Sequence, residues 1–224
     1  MKRIILIIAV SASVTLAASA QLFIGGSAGI DYTGGKNTAG SISQDRPARL
    51  TVQFEPKVGF YFTDDFAVGL EAGMTVIVRV TPNYGGSGDD QVFSSVGWQL
   101  GAFARYHIAG TELLTLMLEG GFAIGGYGSS TKTGAITVDH NPASHFSIGA
   151  LPVLAFKLSE RLNIEARSNF LRLGFAIETV TNATNSDNKT TSTHFGFGVN
   201  AGSPVANLTY GNTPLFMLGI VLKL

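Results

Sequence analysis

The chain predicts an all-β fold: an eight-stranded antiparallel up-and-down barrel turned inside out, with apolar side chains facing outward and charged ones along the axis. Three observations carry this. Even-numbered residues are apolar and odd-numbered ones small, polar or charged over most of the chain, as in Leu114, Leu116, Leu118, Phe122 and Ile124 against Thr115, Met117, Glu119, Gly121, Ala123 and Gly125. Such a period of two puts one set on each face of an extended strand, whereas a helix would scatter both. Connections between apolar segments alternate between short and long. Finally, Gly, Asn or a charge interrupts every apolar stretch before it reaches the roughly 20 residues of a membrane helix, so crossing a bilayer falls to strands.

Residues 1–20 read as a secretory signal: Lys2 and Arg3, the apolar run Ile4 to Val10, and small residues ending in Ala18-Ser19-Ala20. Residues 21–224 are then expected to form one barrel domain. Cysteine is absent from all 224 residues, which excludes disulfide stapling and lipid attachment at a terminal Cys. Losing Lys2 and Arg3 leaves 13 basic against the 15 acidic residues, a slightly acidic balance that excludes a nucleic-acid binder. The 28 glycines, set among aromatic and β-branched residues, fit an all-β chain.

Strand one is expected over Leu22 to Tyr32 and strand two over Leu50 to Phe62, with the polar stretch Thr33 to Arg49 between them. Thr63-Asp64-Asp65 turns the chain into strand three, Phe66 to Val80, and the Gly- and Asp-rich stretch from Pro82 to Asp90 leads to strand four, Ser94 to Ile108. After the short Ala109-Gly110-Thr111-Glu112 come strand five, Leu113 to Tyr127, and a third long loop, Gly128 to Ser144. Strand six spans His145 to Leu158, Ser159-Glu160-Arg161 turns the chain, strand seven runs from Leu162 to Val180, and the last strand is Leu215 to Leu224. Between the last two, Thr193 to Thr213 admits two readings: Phe195, Phe197 and Val199 extend a hairpin beyond the bilayer, or they cross it. An even strand count favours the hairpin. Three short turns and four long loops are the asymmetry of an outer-membrane barrel, with periplasmic turns and extracellular loops.

Glu55, Lys57, Glu71, Arg105, Glu119, Glu165 and Arg167 are all odd-numbered and at comparable distances from the short-turn ends. Eight strands enclose a lumen only wide enough for side chains, so these seven are expected to pair as a structural salt-bridge plug, with odd-numbered glycines providing room. Aromatic residues near strand ends form two expected girdles, Phe60, Phe62, Phe66, Tyr106 and Phe156 on the short-turn side and Tyr32, Trp98, Phe122 and Phe146 toward the long loops. Pro56 and Pro152 inside strands predict local bulges, and a parity switch from Ile164 and Phe170 to Leu171, Leu173 and Phe175 predicts another near Phe170.

The terminal strand Pro214-Leu215-Phe216-Met217-Leu218-Gly219-Ile220-Val221-Leu222-Lys223-Leu224 is amphipathic up to its end. With the signal, the alternating strands and the charged lumen, it resembles the OmpX/OmpA-type small outer-membrane barrels, and more narrowly the outer membrane protein beta-barrel domain proteins of Bacteroidetes. Such proteins usually end in an aromatic, from which Leu224 departs. The resemblance implies a Gram-negative outer-membrane location after Sec export, contact with outer-membrane lipids and lipopolysaccharide, and insertion by the barrel-assembly machinery.

Three function classes follow. A structural or surface-binding barrel, acting through the loops that a rigid scaffold presents, needs no catalytic, cofactor or metal residues, and none is assigned. A lipid-modifying enzyme needs a His near a Ser and a carboxylate; His107, His140, His145 and His194 are the histidines, with Asp139, Ser144 and Ser147 near His140 and His145 in sequence. A diffusion porin is disfavoured because water-filled channels take about 16 strands. A monomer without a nucleic-acid partner is expected.

Overall fold

The computed structural model describes residues 21–39, 42–82, 88–168, 171–182, 187–199 and 216–224. Residues 1–20, expected above to be an export signal, Phe170 and the stretch Asn200 to Thr213 lie outside them. The described residues are strand and connection throughout: β1 (Gln21–Thr33), β2 (Lys36–Ala39), β3 (Ile42–Asp45), β4 (Ala48–Tyr61), β5 (Phe66–Thr81), β6 (Gln91–Gly110), β7 (Leu114–Thr133), β8 (Ile136–Asp139), β9 (Ala143–Lys157), β10 (Leu162–Ser168), β11 (Leu171–Thr181), β12 (Lys189–Val199) and β13 (Phe216–Lys223). No helix among them is long and apolar enough to cross a membrane.

Antiparallel ladders close these strands into a ring: β1 on β4, β4 on β5, β5 on β6, β6 on β7, β7 on β9, β9 on β10, β10 on β13, and β13 back on β1. The result is a closed eight-stranded barrel. Closure is what the medium demands, since an open edge would leave backbone groups unpaired in hydrocarbon at several kcal/mol each. The last ladder joins Phe23 to Lys223 and Ala28 to Leu218, so β13 seals the wall.

Parity decides which way each side chain faces. Ile24, Val52, Phe54, Leu70, Met74, Trp98, Leu100, Phe122, Ile148, Leu218 and Ile220 are exposed on the outside, while Thr51, Gln53, Glu55, Lys57, Arg105, Glu119, Glu165 and Arg167 are buried inside. Both expected girdles face outward, with Phe60, Tyr106 and Phe156 at one end and Tyr32 and Trp98 toward the other.

Strand seven divides as the parity switch foretells. β10 meets β9 with Arg167 opposite Val153, and β11 resumes with Leu173 opposite Ala150, so the register along β9 shifts by three positions between the two described segments. After this bulge Ala176 is buried and Leu173 exposed, reversing the earlier pattern. Pro152 keeps its place in the β7 ladder opposite Leu118, so no bulge forms on that side, and it lies where the β10 and β11 ladders on the other side break off. Pro56 corrects the parallel expectation: Phe54 faces Met74 and Lys57 faces Glu71 in one unbroken register, so no bulge forms there. The ladder only omits the two positions around the proline.

Two long loops are more regular than the sequence implies. The first carries the β2–β3 hairpin, closed by Lys36 opposite Asp45. In the third the chain does not loop at Gly128; β7 continues to Thr133, turns at Gly134 and returns as β8, with Thr133 opposite Ile136. Gly134 has φ +57°, a left-handed conformation in which a Cβ is disfavoured, so glycine suits the turn. Of the ambiguous segment, Asn200 to Thr213 lies outside the described residues; its first part belongs to β12, which runs antiparallel to β11 from Thr181 opposite Lys189 to Leu171 opposite Val199. It reaches down to mid-wall, where β13 takes over beside β10, with Ser168 opposite Phe216.

Candidate lumenal site

The lumen brings all seven predicted charged residues together. Their convergence begins in register: Arg105 on β6 stands opposite Glu119 on β7, and Lys57 on β4 opposite Glu71 on β5. Closure adds the distant partners. Arg105 grips the Glu165 carboxylate with both terminal nitrogens, Nη1 donating to Oε1 at 2.6 Å and Nη2 to Oε2 at 3.0 Å. The same guanidinium donates to Glu119 Oε2 through Nε at 3.1 Å and Nη2 at 2.5 Å. Lys57 Nζ reaches that oxygen at 3.2 Å.

Arg167 forms the second centre. It donates to Glu55 and to Glu119 Oε1, and its Nη2 lies 3.5 Å from Glu71. Glu119 thus joins both arginines. Polar neighbours complete Glu55, whose Oε1 accepts from Gln53 at 2.6 Å and Gln99 at 3.1 Å. Every member except Glu71 is at most 5% exposed, so these charges are held away from bulk water. Three cations against four carboxylates make a compact, cross-linked set. Such a set is expensive to desolvate and specifies register more than it adds net stability.

Room for these long side chains comes from glycine. Glu71 faces Gly101 across the ladder, Glu165 faces Gly219, and Lys57 faces Gly25. A Cβ on Gly69 would stand 2.6 Å from the Phe103 ring and one on Gly59 2.6 Å from the Phe23 ring. These glycines are therefore floors on which larger neighbours lie.

Sequence reasoning missed the apolar layer below the network. Phe23, Ala67, Phe103 and Val221 form a buried cluster inside the barrel, and Met117, Val153 and Ala155 form another. The Arg105 guanidinium lies 5.9 Å from the Phe23 ring and 5.7 Å from the Phe103 ring, and Lys57 Nζ is 5.3 Å from Phe103. Cations over aromatic faces gain electrostatic attraction without an added carboxylate. The signal was available: all these residues are odd-numbered.

The histidines separate. His107 lies at the short-turn mouth with Nδ1 3.0 Å from Asp65, and His140 at the opposite rim with Nε2 2.6 Å from the Thr131 hydroxyl. His145 and Ser147 are both buried and lumen-facing on β9, whereas Ser144 faces outward. Glu178 is the register partner of His145, and its carboxylate accepts from the Tyr127 hydroxyl at 3.2 Å. His194 lies on β12 opposite Ala176. Among the described residues no group of three His, Asp or Glu is arranged to hold a metal ion.

Ladder, outward apolar shell and charged interior define a class: the small outer-membrane β-barrel. No protein-family model matches the chain, and no curated protein does. Among solved structures it is similar to Neisserial surface protein A, at 10% identity and TM-score 0.37 over 92% of this chain and 99% of that one. It is similar also to Ail, the attachment invasion locus protein of Yersinia pestis, at 13% identity and TM-score 0.38 over 92% and 97%. A major outer membrane protein from Thermus thermophilus gives 14% identity and TM-score 0.40 over 92% and 100%.

Proposed function

We propose that this chain is an integral outer-membrane barrel whose lumen is plugged by the Arg105, Arg167 and Glu119 network, and which works at the cell surface through its long-loop side. The observation that supports a plug is the mutual engagement of the seven charged groups across the full width of the lumen. A surface role is supported by the rim. There β6, β7 and β8 continue as a raised sheet carrying exposed Ile136 and Val138, 69% and 54% accessible. Apolar side chains presented on a rigid rim, beside a strand paired among the described residues on one edge alone, suit binding of an extended segment from a partner.

On this reading the export signal directs the chain through Sec, the barrel-assembly machinery inserts it, and it functions as a non-enzymatic monomer among outer-membrane lipids and lipopolysaccharide. Planar-bilayer recording tests the plug: the expected record is silent, and stable nanosiemens openings overturn it. Cells displaying the wild type or the I136S/V138S pair test the rim. Adherence to a protein-coated surface is expected to fall in the double variant, and equal adherence removes the surface role. Lipid-A profiles with and without the gene are expected to match; a changed acyl pattern transfers the function to His145 and Ser147.

A further inference from the structure

The short-turn mouth of the barrel contains a blind cavity of about 350 Å³, at the small end of the ~300–1,000 Å³ typical of small-molecule sites. Buried Met117 and Ala155 line its inner part, and Arg105, engaged by two glutamates, closes it toward the network. Entry is therefore from the short-turn side. Ring order fixes how charge is arranged around it. The β4–β5 turn brings Asp64 and Asp65 to one side, while Lys157 on β9, Glu160 in the turn after it, Asn163 on β10 and Lys223 on β13 line the other, two ammonium groups against one carboxylate.

Not all of these groups are spent on one another. Lys157 pairs with Glu160 at 2.9 Å and Asp65 with His107, whereas Lys223 Nζ lies 4.9 Å from the Tyr61 ring, attracts the Glu160 carboxylate only at longer range, and makes no ion pair within 4 Å among the described residues. His107 Nε2 is buried and also without a hydrogen-bond partner there. A simple anion would meet the carboxylates of Asp64 and Asp65, and a simple cation would meet Lys223. A molecule carrying both charges satisfies both arcs.

We propose that this mouth binds a small zwitterion, an amino acid or dipeptide, with its ammonium toward Asp64 and Asp65 and its carboxylate toward Lys223 and Asn163. The proposal is independent of the surface role at the opposite rim. Calorimetry of the full-length processed chain in maltoside micelles, titrated with alanyl-alanine, tests it. Saturable 1:1 binding is expected. Because a hydrogen bond to a charged group is worth about 1.5–3 kcal/mol, N-acetylation or C-amidation of the dipeptide, K223Q and D64N are each expected to weaken it about tenfold or more. Absence of saturable heat at millimolar dipeptide overturns the proposal, as does equal binding of the capped peptides or of K223Q. Asp64 lies in an exposed turn, so D64N preserves the test if K223Q does not fold.

Discussion

Arg105 and Glu119 face each other across the β6–β7 ladder, and two guanidinium nitrogens of the first converge on a single carboxylate oxygen of the second, at 3.1 and 2.5 Å. That pairing is local, set by one hairpin. What makes Glu119 the hub is the rest of the barrel, which brings Lys57 from β4 to the same oxygen and Arg167 from β10 to the other.

Removing the hub should therefore be costly. Glu119→Ala leaves three buried cations short of a counter-charge, and breaking a buried pair costs roughly 3–5 kcal/mol. The thermal midpoint in detergent, followed by loss of heat-modifiable migration on gels, is expected to fall well below wild type. An unchanged midpoint would show that the network is not holding the barrel together.

Glycine floors give a steric prediction. Gly69→Ala places a methyl against the Val58 carbonyl oxygen as well as against the Phe103 ring, and is expected to cost about 3 kcal/mol or more, at or above the top of the usual range for overpacking a filled interior. Trimming the ring in Gly69→Ala/Phe103→Leu is expected to recover part of that loss. A double-mutant cycle in urea measures the coupling, and strict additivity of the two effects would refute direct contact.

Lipid exposure is tested on the outer face. Leu100, 54% exposed and flanked in register by Ala72 and Ile124, is expected to cost about 2–4 kcal/mol when replaced by Arg, if it lies near the bilayer midplane. Trp98 on the same face is expected to be quenched by brominated lipid tails. Refolding into vesicles measures both, and a freely soluble Leu100→Arg variant would reverse the assignment of faces.

The turn pair Lys157 and Glu160 makes the opposite prediction. Its hydrogen bond from Lys157 holds the Glu160 carboxyl below the ordinary glutamate range. A carboxyl depressed on folding stabilises above its unfolded value and loses that contribution as pH falls through the folded one. Glu160 is fully exposed, where solvent screens the pair, so Glu160→Gln is expected to leave the melting midpoint unchanged at pH 7 and at pH 4. A pH-dependent difference between the two proteins would contradict this.

Most of the wall was legible because strand parity is a local property. The alternation around Leu114 to Gly125 assigns each side chain to a face without knowledge of any partner, and the switch at Leu171 marks the bulge for the same reason. Connections misled where strands outlast the bilayer. Ser129 and Thr131 look like loop residues, yet they pair with Ser95 and Phe93 because hydrogen bonding, not hydropathy, carries the ladder above the lipid. Pro56 misled in the other direction, since one missing donor is absorbed without a change of register.

By itself the sequence determined the eight strands of the wall, the face of most of their residues and the presence of charge inside, all of which follow from alternation and turn chemistry. Only the tertiary structure decided who meets whom. Which carboxylate each arginine takes, how Phe23 comes to lie beneath Arg105, and how β12 and β13 share the last position in the wall depend on the stagger with which a tilted sheet closes on itself. That stagger joins residues more than a hundred positions apart, such as Glu55 and Arg167, and no local pattern encodes it.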